Sequence, residues 1–195
     1  MGVNQDQALW VPDAAHVAAT NMAAFTARAR ILSGRPLKSH AALHEWSVHS
    51  PVPFWRLVWE FCEVLGEQGV RGLIRSGGMQ DSRWFPDASL NFAENLLRDS
   101  DNPQALVFWG EDKVKQSLSR QVLRSEVARF AAALSAAGVE QGDRVAAYMP
   151  NVPATLIAML AASSIGAVFT SASPDFGVQG VVDRFGQTEP KVLLS

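Results

Sequence analysis

GDRVAAYMPNVPATLIAMLAASSIGAVFTSASPDFG, residues 142–177, decides the fold. No charged side chain occurs from Val145 to Pro174, and the local punctuation divides this apolar run into three. Gly142-Asp143 in front and Pro150 behind delimit a compact apolar stretch, Arg144 to Met149, of strand length. Residues 153–165 are apolar almost all round, the pattern of a helix covered on more than one side. Val168 to Ser171 reads as a second short strand, after which Ser173-Pro174-Asp175 open a turn. A run of this length is long enough to span a bilayer. However, Pro150, Asn151 and Pro153 split it, and Ser163 and Ser164 sit in its second half, so a buried α/β core is the reading and a membrane is not a partner.

Working outward, residues 177–186 form a further helix, and Lys191 to Leu194 begin one more strand. Upstream, helix 119–137 places Leu123, Val127, Phe130 and Leu134 on one face, and Gly138 ends it. Ala105 to Trp109 is an apolar strand followed by a polar, hairpin-like piece from Gly110 to Lys115. Strand, helix, strand, helix, strand, helix, strand predicts an α/β fold with a layered, mostly parallel sheet. The last strand stops almost as it begins, which reads as the N-terminal part of a larger protein.

Residues 1–80 are read as a helical N-terminal region that packs on the main domain. Asp13 is positioned to cap a single helix with Ala18, Met22, Phe25, Ala29 and Leu32 on its apolar side, stopped by Gly34 and Pro36. A second helix follows Ser50-Pro51, with Phe54, Val58, Phe61 and Leu65 on one side, and Gly66 and Gly69 close it. Apolar stripes of this kind need a surface to cover. Residues 81–103 read as an extended crossing segment pinned by Trp84, Phe85, Leu90 and Phe92. A short helix capped by Ser89 or Asn91 then ends near Leu97. Residues 104–195 are the α/β part.

Composition bounds the function. Seventeen basic and nineteen acidic residues give a net charge of −2, with no basic block in either half, which argues against a nucleic-acid partner. A single cysteine, Cys62, excludes an internal disulfide framework and fits a reducing compartment. The N-terminus lacks the basic start and apolar core of a secretory signal, so a cytoplasmic location is expected. The acid-poor stretch 14–43, with Arg28, Arg30 and Arg35, leaves a transit peptide as the alternative.

His40 and His44 stand at helical spacing with Glu45 and His49 close by, but a metal needs three or four convergent ligands. These residues come from a polar stretch between two helices and, like His16, are read as surface or capping groups, and no metal site is expected. Motifs of the HExxH, CxxC, GxSxG, mononucleotide-loop and GxGxxG types are missing. Gly77-Gly78 follows no strand and reads as a turn; Ser163-Ser164 read as small packing residues. No catalytic residue is expected in this segment.

Two places remain for a ligand. Ligands of open parallel sheets gather beyond the carboxyl ends of strands, and strand 168–171 runs to such an end. The helix after Asp175 and Phe176 presents free N–H groups there, and Arg184 lies further along it, within reach of a phosphate brought by a neighbouring loop. The alternative is structural: Asp175 caps the helix and Arg184 answers a surface carboxylate such as Glu189. The second place is Tyr148-Met149-Pro150-Asn151, where Asn151 as a helix cap is the structural alternative.

The stretch 142–177 also resembles the N-terminal domain of the adenylate-forming acyl-CoA synthetases. LHEWSVHSPVPFWRLVWEFC (43–62), WFPDASLNFAENLL (84–97) and SPDFGVQGVVDRFGQTEPKVL (173–193) are similar to the acetoacetate-CoA ligase branch of that family. The resemblance implies an incomplete portion of the family's large N-terminal domain. It also implies a two-step reaction: ATP and acetoacetate form an acyl-adenylate and diphosphate, and coenzyme A then takes the acyl group and releases AMP. Mg2+ would accompany ATP. Arg184 matches the arginine that helps hold the 3′-phosphate of coenzyme A in the related acetyl-CoA synthetases, although the preceding loop reads SASPDFG where those carry an FGGFSP type. The family's phosphate loop, its adenine-contacting and aspartate-bearing segments and its C-terminal lysine find no match. They would lie beyond Ser195, in a remaining C-terminal part of the same protein, and the 195 residues alone are expected to be inactive. A ligase for another short-chain acid and a non-catalytic interaction module are the alternatives.

Overall fold

The computed structural model describes residue 8 and residues 10–99, 102–111 and 113–195. The chain divides into two compact units, Met1–Ser89 and Leu90–Ser195.

In the first unit, α1 (Ala14–Ala18) and α2 (Asn21–Ser33) replace the single helix expected after Asp13. Asp13 does cap α1, accepting from the His16 N–H at 2.7 Å. The break comes from Thr20, whose hydroxyl donates to the Val17 carbonyl at 2.8 Å and accepts from the Ala23 N–H at 3.2 Å. One side chain thus closes one helix and opens the next, in competition with the continuous backbone ladder. Gly34, at φ 65°, ends α2 as expected.

The stretch read as a polar link between two helices is itself a helix, α3 (His40–His49), which follows a Ser39 cap and carries His40, His44 and His49. After it comes α4 (Pro51–Phe61), with proline in its first turn, where a missing N–H is harmless. This helix ends at Cys62, ahead of Gly66, and leaves Leu65 outside it. Phe25, Ala29, Leu37, Leu43, Trp46 and Leu57 are buried together. Phe25 meets Phe54 and Phe61 edge to face at 5.5 and 5.3 Å, a geometry favoured by the ring quadrupoles. The apolar stripes therefore cover one another in part: Phe25 and Ala29 are buried against α3 and α4, while Met22 and Leu32 stay exposed.

Beyond this core, β1 (Leu73–Ile74) and β2 (Arg83–Trp84) pair antiparallel around a 3-10 turn at Met79–Asp81. The Arg71 guanidinium grips the Asp87 carboxylate through Nε and Nη2, with Nε 2.8 Å from Oδ2. Gly69 runs past the same aspartate at φ 74°, and a Cβ there would fall 2.5 Å from the Asp87 Cβ. The hydrogen bond from Arg71 holds the Asp87 carboxyl well below the ordinary carboxylate range, at about 2.

The second unit opens with α5 (Phe92–Leu97), capped by Asn91. The Asn91 Oδ1 accepts from the Glu94 N–H at 3.1 Å, and its Nδ2 donates to the Ser164 carbonyl at 2.9 Å. Then β3 (Gln104–Gly110) and β4 (Val114–Ser119) form an antiparallel hairpin. This corrects the expectation that β3 joins the parallel sheet: the adjacent polar piece continues as β4, and a partner that close in sequence takes its hydrogen bonds. Helix α6 (Arg120–Ala136), capped by Ser119, leads into β5 (Arg144–Tyr148), α7 (Pro153–Ser164), β6 (Val168–Ala172), α8 (Val178–Thr188) and β7 (Val192–Leu194). The strands lie in the order β6-β5-β7, all parallel.

Central β5 is covered on both faces. Val145, fully buried, packs with Leu123, Val127, Leu134, Leu160 and Ala161 of α6 and α7. Ala146, also fully buried, packs with Ala172 and with Phe185 of α8. Asn151 does not cap α7: Val152 holds that position without a side-chain bond, and the Thr155 hydroxyl instead donates to the Pro150 carbonyl at 2.7 Å. Among the described residues no helix is long and apolar enough to cross a membrane.

Val145→Ala should lower the unfolding free energy by about 2–3 kcal/mol in urea denaturation, because a cavity is left between packed layers. Val178→Ala, at a position 82% exposed, should stay within about 0.5 kcal/mol. An equal effect of the two would contradict the assignment of the core. For Asp87 the sign follows from its depressed folded value: its pairing stabilises above the unfolded value of about 3.9 and is lost as pH falls. The urea midpoint of Asp87→Asn should therefore lie below the wild type at pH 6, and the gap should close between pH ~4 and ~2. A gap independent of pH over that window would show that the ion pair is not its origin.

Candidate functional site

From β5 the chain passes through α7 to β6 on one side, then returns through α8 to β7 on the other side of β5. Connections that diverge in this way open a crevice outside the carboxyl ends of the strands. Tyr148 closes β5 at that edge. Its hydroxyl lies 2.9 Å from the carbonyl oxygens of both Pro174 and Phe176, and its one proton is shared between them. The loop from β6 to α8 is thereby tied to the central strand.

Asp175 is not the helix cap that sequence reasoning allowed. Its carboxylate accepts from the Ser173 hydroxyl at 2.8 Å, and Gly177 stands at the cap of α8 without a side-chain bond. The first N–H groups of α8 are therefore not taken by a capping side chain.

Arg184 does not answer Glu189. Its guanidinium carbon sits over the Phe176 ring, 4.0 Å from the centroid, and its Nη1 donates to the Gly180 carbonyl at 3.3 Å. Among the described residues no carboxylate is in ion-pair range of Arg184, which is exposed. The residue at the other end of the helix, Glu189, is a left-handed C-cap at φ 47°. Arg144 grips this end, with Nε 2.8 Å from the Thr188 carbonyl oxygen and Nη2 3.0 Å from that of Glu189. Lys191 pairs with Asp143 at 2.8 Å. That contact, with the Glu140 N–H, lowers the Asp143 carboxyl from its ordinary value.

A planar cation resting on an aromatic face, with donors left over, suits a phosphate oxygen. This edge therefore has the chemistry of an anion-binding place. The other candidate stretch, around Met149, borders a cavity of about 370 Å³ that is walled mainly by Phe130, Ala154, Ala158, Leu193 and Leu194; it offers shape without charge.

The remaining sequence candidates make local contacts. His49 Nδ1 lies 2.9 Å from the Glu45 carbonyl oxygen, and no group of three or more His, Cys, Asp or Glu forms a metal set among the described residues. Gly78 donates its N–H to Asp81 at 3.0 Å, a turn closed on itself. The Ser164 hydroxyl donates to the Ala161 carbonyl at 2.7 Å. Sequence reasoning missed the roles of Phe176 as a platform and of Arg144 as a tether, because neither contact leaves a local pattern.

The family model for AMP-binding enzymes matches residues 92–195. An acetoacetyl-coenzyme A synthetase of Rhizobium meliloti (strain 1021) is 49% identical over 97% of this chain, which spans 29% of that protein. An acetoacetyl-CoA synthetase of Macaca fascicularis is 39% identical over 97% of this chain and 28% of its own length. The solved acetoacetyl-CoA synthetase from Streptomyces lividans superposes with a TM-score of 0.88 at 41% identity, covering 96% of this chain and 30% of that one. The chain thus spans less than a third of the relatives it matches. By the family model, which takes in both the parallel sheet and the Arg184 helix, the chain belongs to the AMP-binding enzyme family.

Proposed function

We propose that these residues are the N-terminal portion of an AMP-forming acetoacetate-CoA ligase. In the whole enzyme, the acetoacetate carboxylate attacks the α-phosphorus of ATP, giving acetoacetyl-AMP and diphosphate. The thiol sulfur of coenzyme A then attacks the acyl carbon, with loss of its proton, and AMP leaves. The observation that carries this reading is the match to the Streptomyces lividans synthetase along almost the whole chain.

Within this chain the part assigned to the reaction is coenzyme A binding. Arg184, on its Phe176 platform, is the contact for the 3′-phosphate; a guanidinium matches phosphate oxygens with a fixed fork of donors. The described residues include no carboxylate set for Mg2+, and groups for ATP, Mg2+ and acetoacetate are assigned to the remaining C-terminal part of the protein. We place the enzyme in the cytoplasm, which the lone exposed Cys62 thiol fits.

The test is acetoacetate-dependent diphosphate release by the 195-residue chain and by the product of the complete reading frame, with acetate and butyrate as competing acids. Release by the longer product alone, selective for acetoacetate, is expected. A preference for acetate or butyrate would reassign the acid, and inactivity of both products would favour a non-catalytic module. In the longer product, Arg184→Ala should raise KM for coenzyme A by about ten- to a hundredfold, the worth of a charged hydrogen bond, while ATP–diphosphate exchange persists. Equal loss in both half-reactions would assign Arg184 to folding.

A further inference from the structure

We propose that the pocket between α2 and the start of α3 binds a small amphiphilic anion, a carboxylate or phosphate monoester carried on a short apolar body. The inference stands apart from the ligase reading and uses none of its residues.

The acid-poor stretch 14–43 builds this pocket. No Asp or Glu occurs between Asp13 and Glu45, while Arg28, Arg30, Arg35 and Lys38 all fall there. The fold gathers part of that charge round one cavity of about 260 Å³, just below the volume of pockets for drug-sized ligands. Arg30, Lys38 and His40 are the ionisable residues in its wall, and all three are basic. They are exposed, so an anion can reach them from solvent. Among the described residues no carboxylate pairs with any of them. Like charges round one opening repel, and an anion seated there would remove the repulsion.

The neutral polar groups of the wall are already engaged. The Thr20 and Thr26 hydroxyls donate to the Val17 and Met22 carbonyls at 2.8 and 2.7 Å. The Ser39 hydroxyl accepts from the Ala42 N–H at 3.2 Å. Side-chain donors for a ligand therefore come chiefly from the cations. Arg30 is already oriented, with Nε and Nη2 3.4 and 3.1 Å from the Leu37 carbonyl oxygen, and its Nη1 donors remain unspent. Leu37 is buried at φ 34°, a left-handed backbone that strains a bulky side chain. Such strain persists where surrounding contacts fix it, and it gathers at ligand clamps. Here it sets the carbonyl against Arg30 and leads the chain straight into Lys38. The rest of the wall is apolar: Ala23, Leu37 and Leu43 line it together with Val17 and Met22, which stay 47% and 55% exposed. A short alkyl chain would remove some of that surface from water.

The test is an NMR titration of the 195-residue chain with hexanoate, hexyl phosphate, hexanol and hexylamine. Hexanoate and hexyl phosphate should shift the amide signals of Ala23, Leu37 and Lys38 saturably and raise the thermal midpoint of unfolding. The tighter of the two identifies the head group, and either order supports the site. Hexanol and hexylamine should do neither, and acetate and inorganic phosphate should bind more weakly. Lys38 makes no contact that the fold needs, so Lys38→Gln should keep the wild-type circular dichroism and weaken both anions about two- to fivefold, the worth of an exposed charge. Ala23→Leu, which fills the apolar wall, should abolish binding of both with the fold retained. Binding of neither anion, shifts confined to other residues, hexanol as tight as hexanoate, acetate as tight as hexanoate, or wild-type affinity in Lys38→Gln would each overturn the proposal.

Discussion

Burial of β5 on both faces is the constraint on which the second unit depends. Val145 faces α6 and α7, and Ala146 faces α8, each without exposed surface. A strand enclosed in this way must satisfy its backbone through neighbours on both edges, and β6 and β7 do so in parallel register. The alanines matter as much as the valine. Small side chains at 146 and 147 let the covering layers approach the strand closely, and larger ones would force those layers apart.

The same strand also holds the helix that carries the candidate cation. At its start, Arg144 bonds the carbonyls of Thr188 and Glu189; at its end, Tyr148 bonds the loop that enters α8. Both ends of α8 are therefore tied to one rigid element. This compensates for weak apolar anchoring, because Phe185 is the only buried residue of the helix. Two polar tethers fix what one aromatic side chain would leave free to pivot, and a guanidinium halfway along inherits the precision of the sheet.

In the first unit the organising feature is aromatic. Phe25 receives edges from α4, and Trp46 of α3 meets Phe54 at 5.7 Å, so three helices share one cluster. The segment after α4 buries little of its apolar surface; it is held by ring contacts of Trp84 with Trp55 and of Phe85 with Trp59, by the Arg71–Asp87 fork and by the backbone exchange between Glu67 and Ser89. An ion pair with one partner largely solvated is modest in strength. Its geometric effect is larger, since it closes a loop whose glycine already accepts a left-handed backbone.

Local pattern reached far into this protein. The apolar run from Val145 to Pro174, divided by Pro150 and Gly166, announced strand, helix and strand within a residue or two of where they lie. The Asn91 and Gly34 boundaries were legible for the same reason: a cap is a contact between residues three or four apart. What failed locally failed through competition the sequence does not rank, as when the Thr20 hydroxyl split one helix into two and β4 claimed β3. Arg184 was visible as a residue type at a sheet edge, but its posture was not. The Phe176 platform, the Tyr148 clamp and the Arg144 tether join residues between 8 and 45 positions apart. The Tyr148 and Arg144 contacts form only after the strands have paired, and the Phe176 stack only once α8 is wound. The sequence by itself thus determined the strand-helix-strand run from Arg144 to Ala172 and the caps around it, because those are local properties. The tertiary structure alone decided what Tyr148, Arg144 and Arg184 touch, because that depends on distances the fold creates.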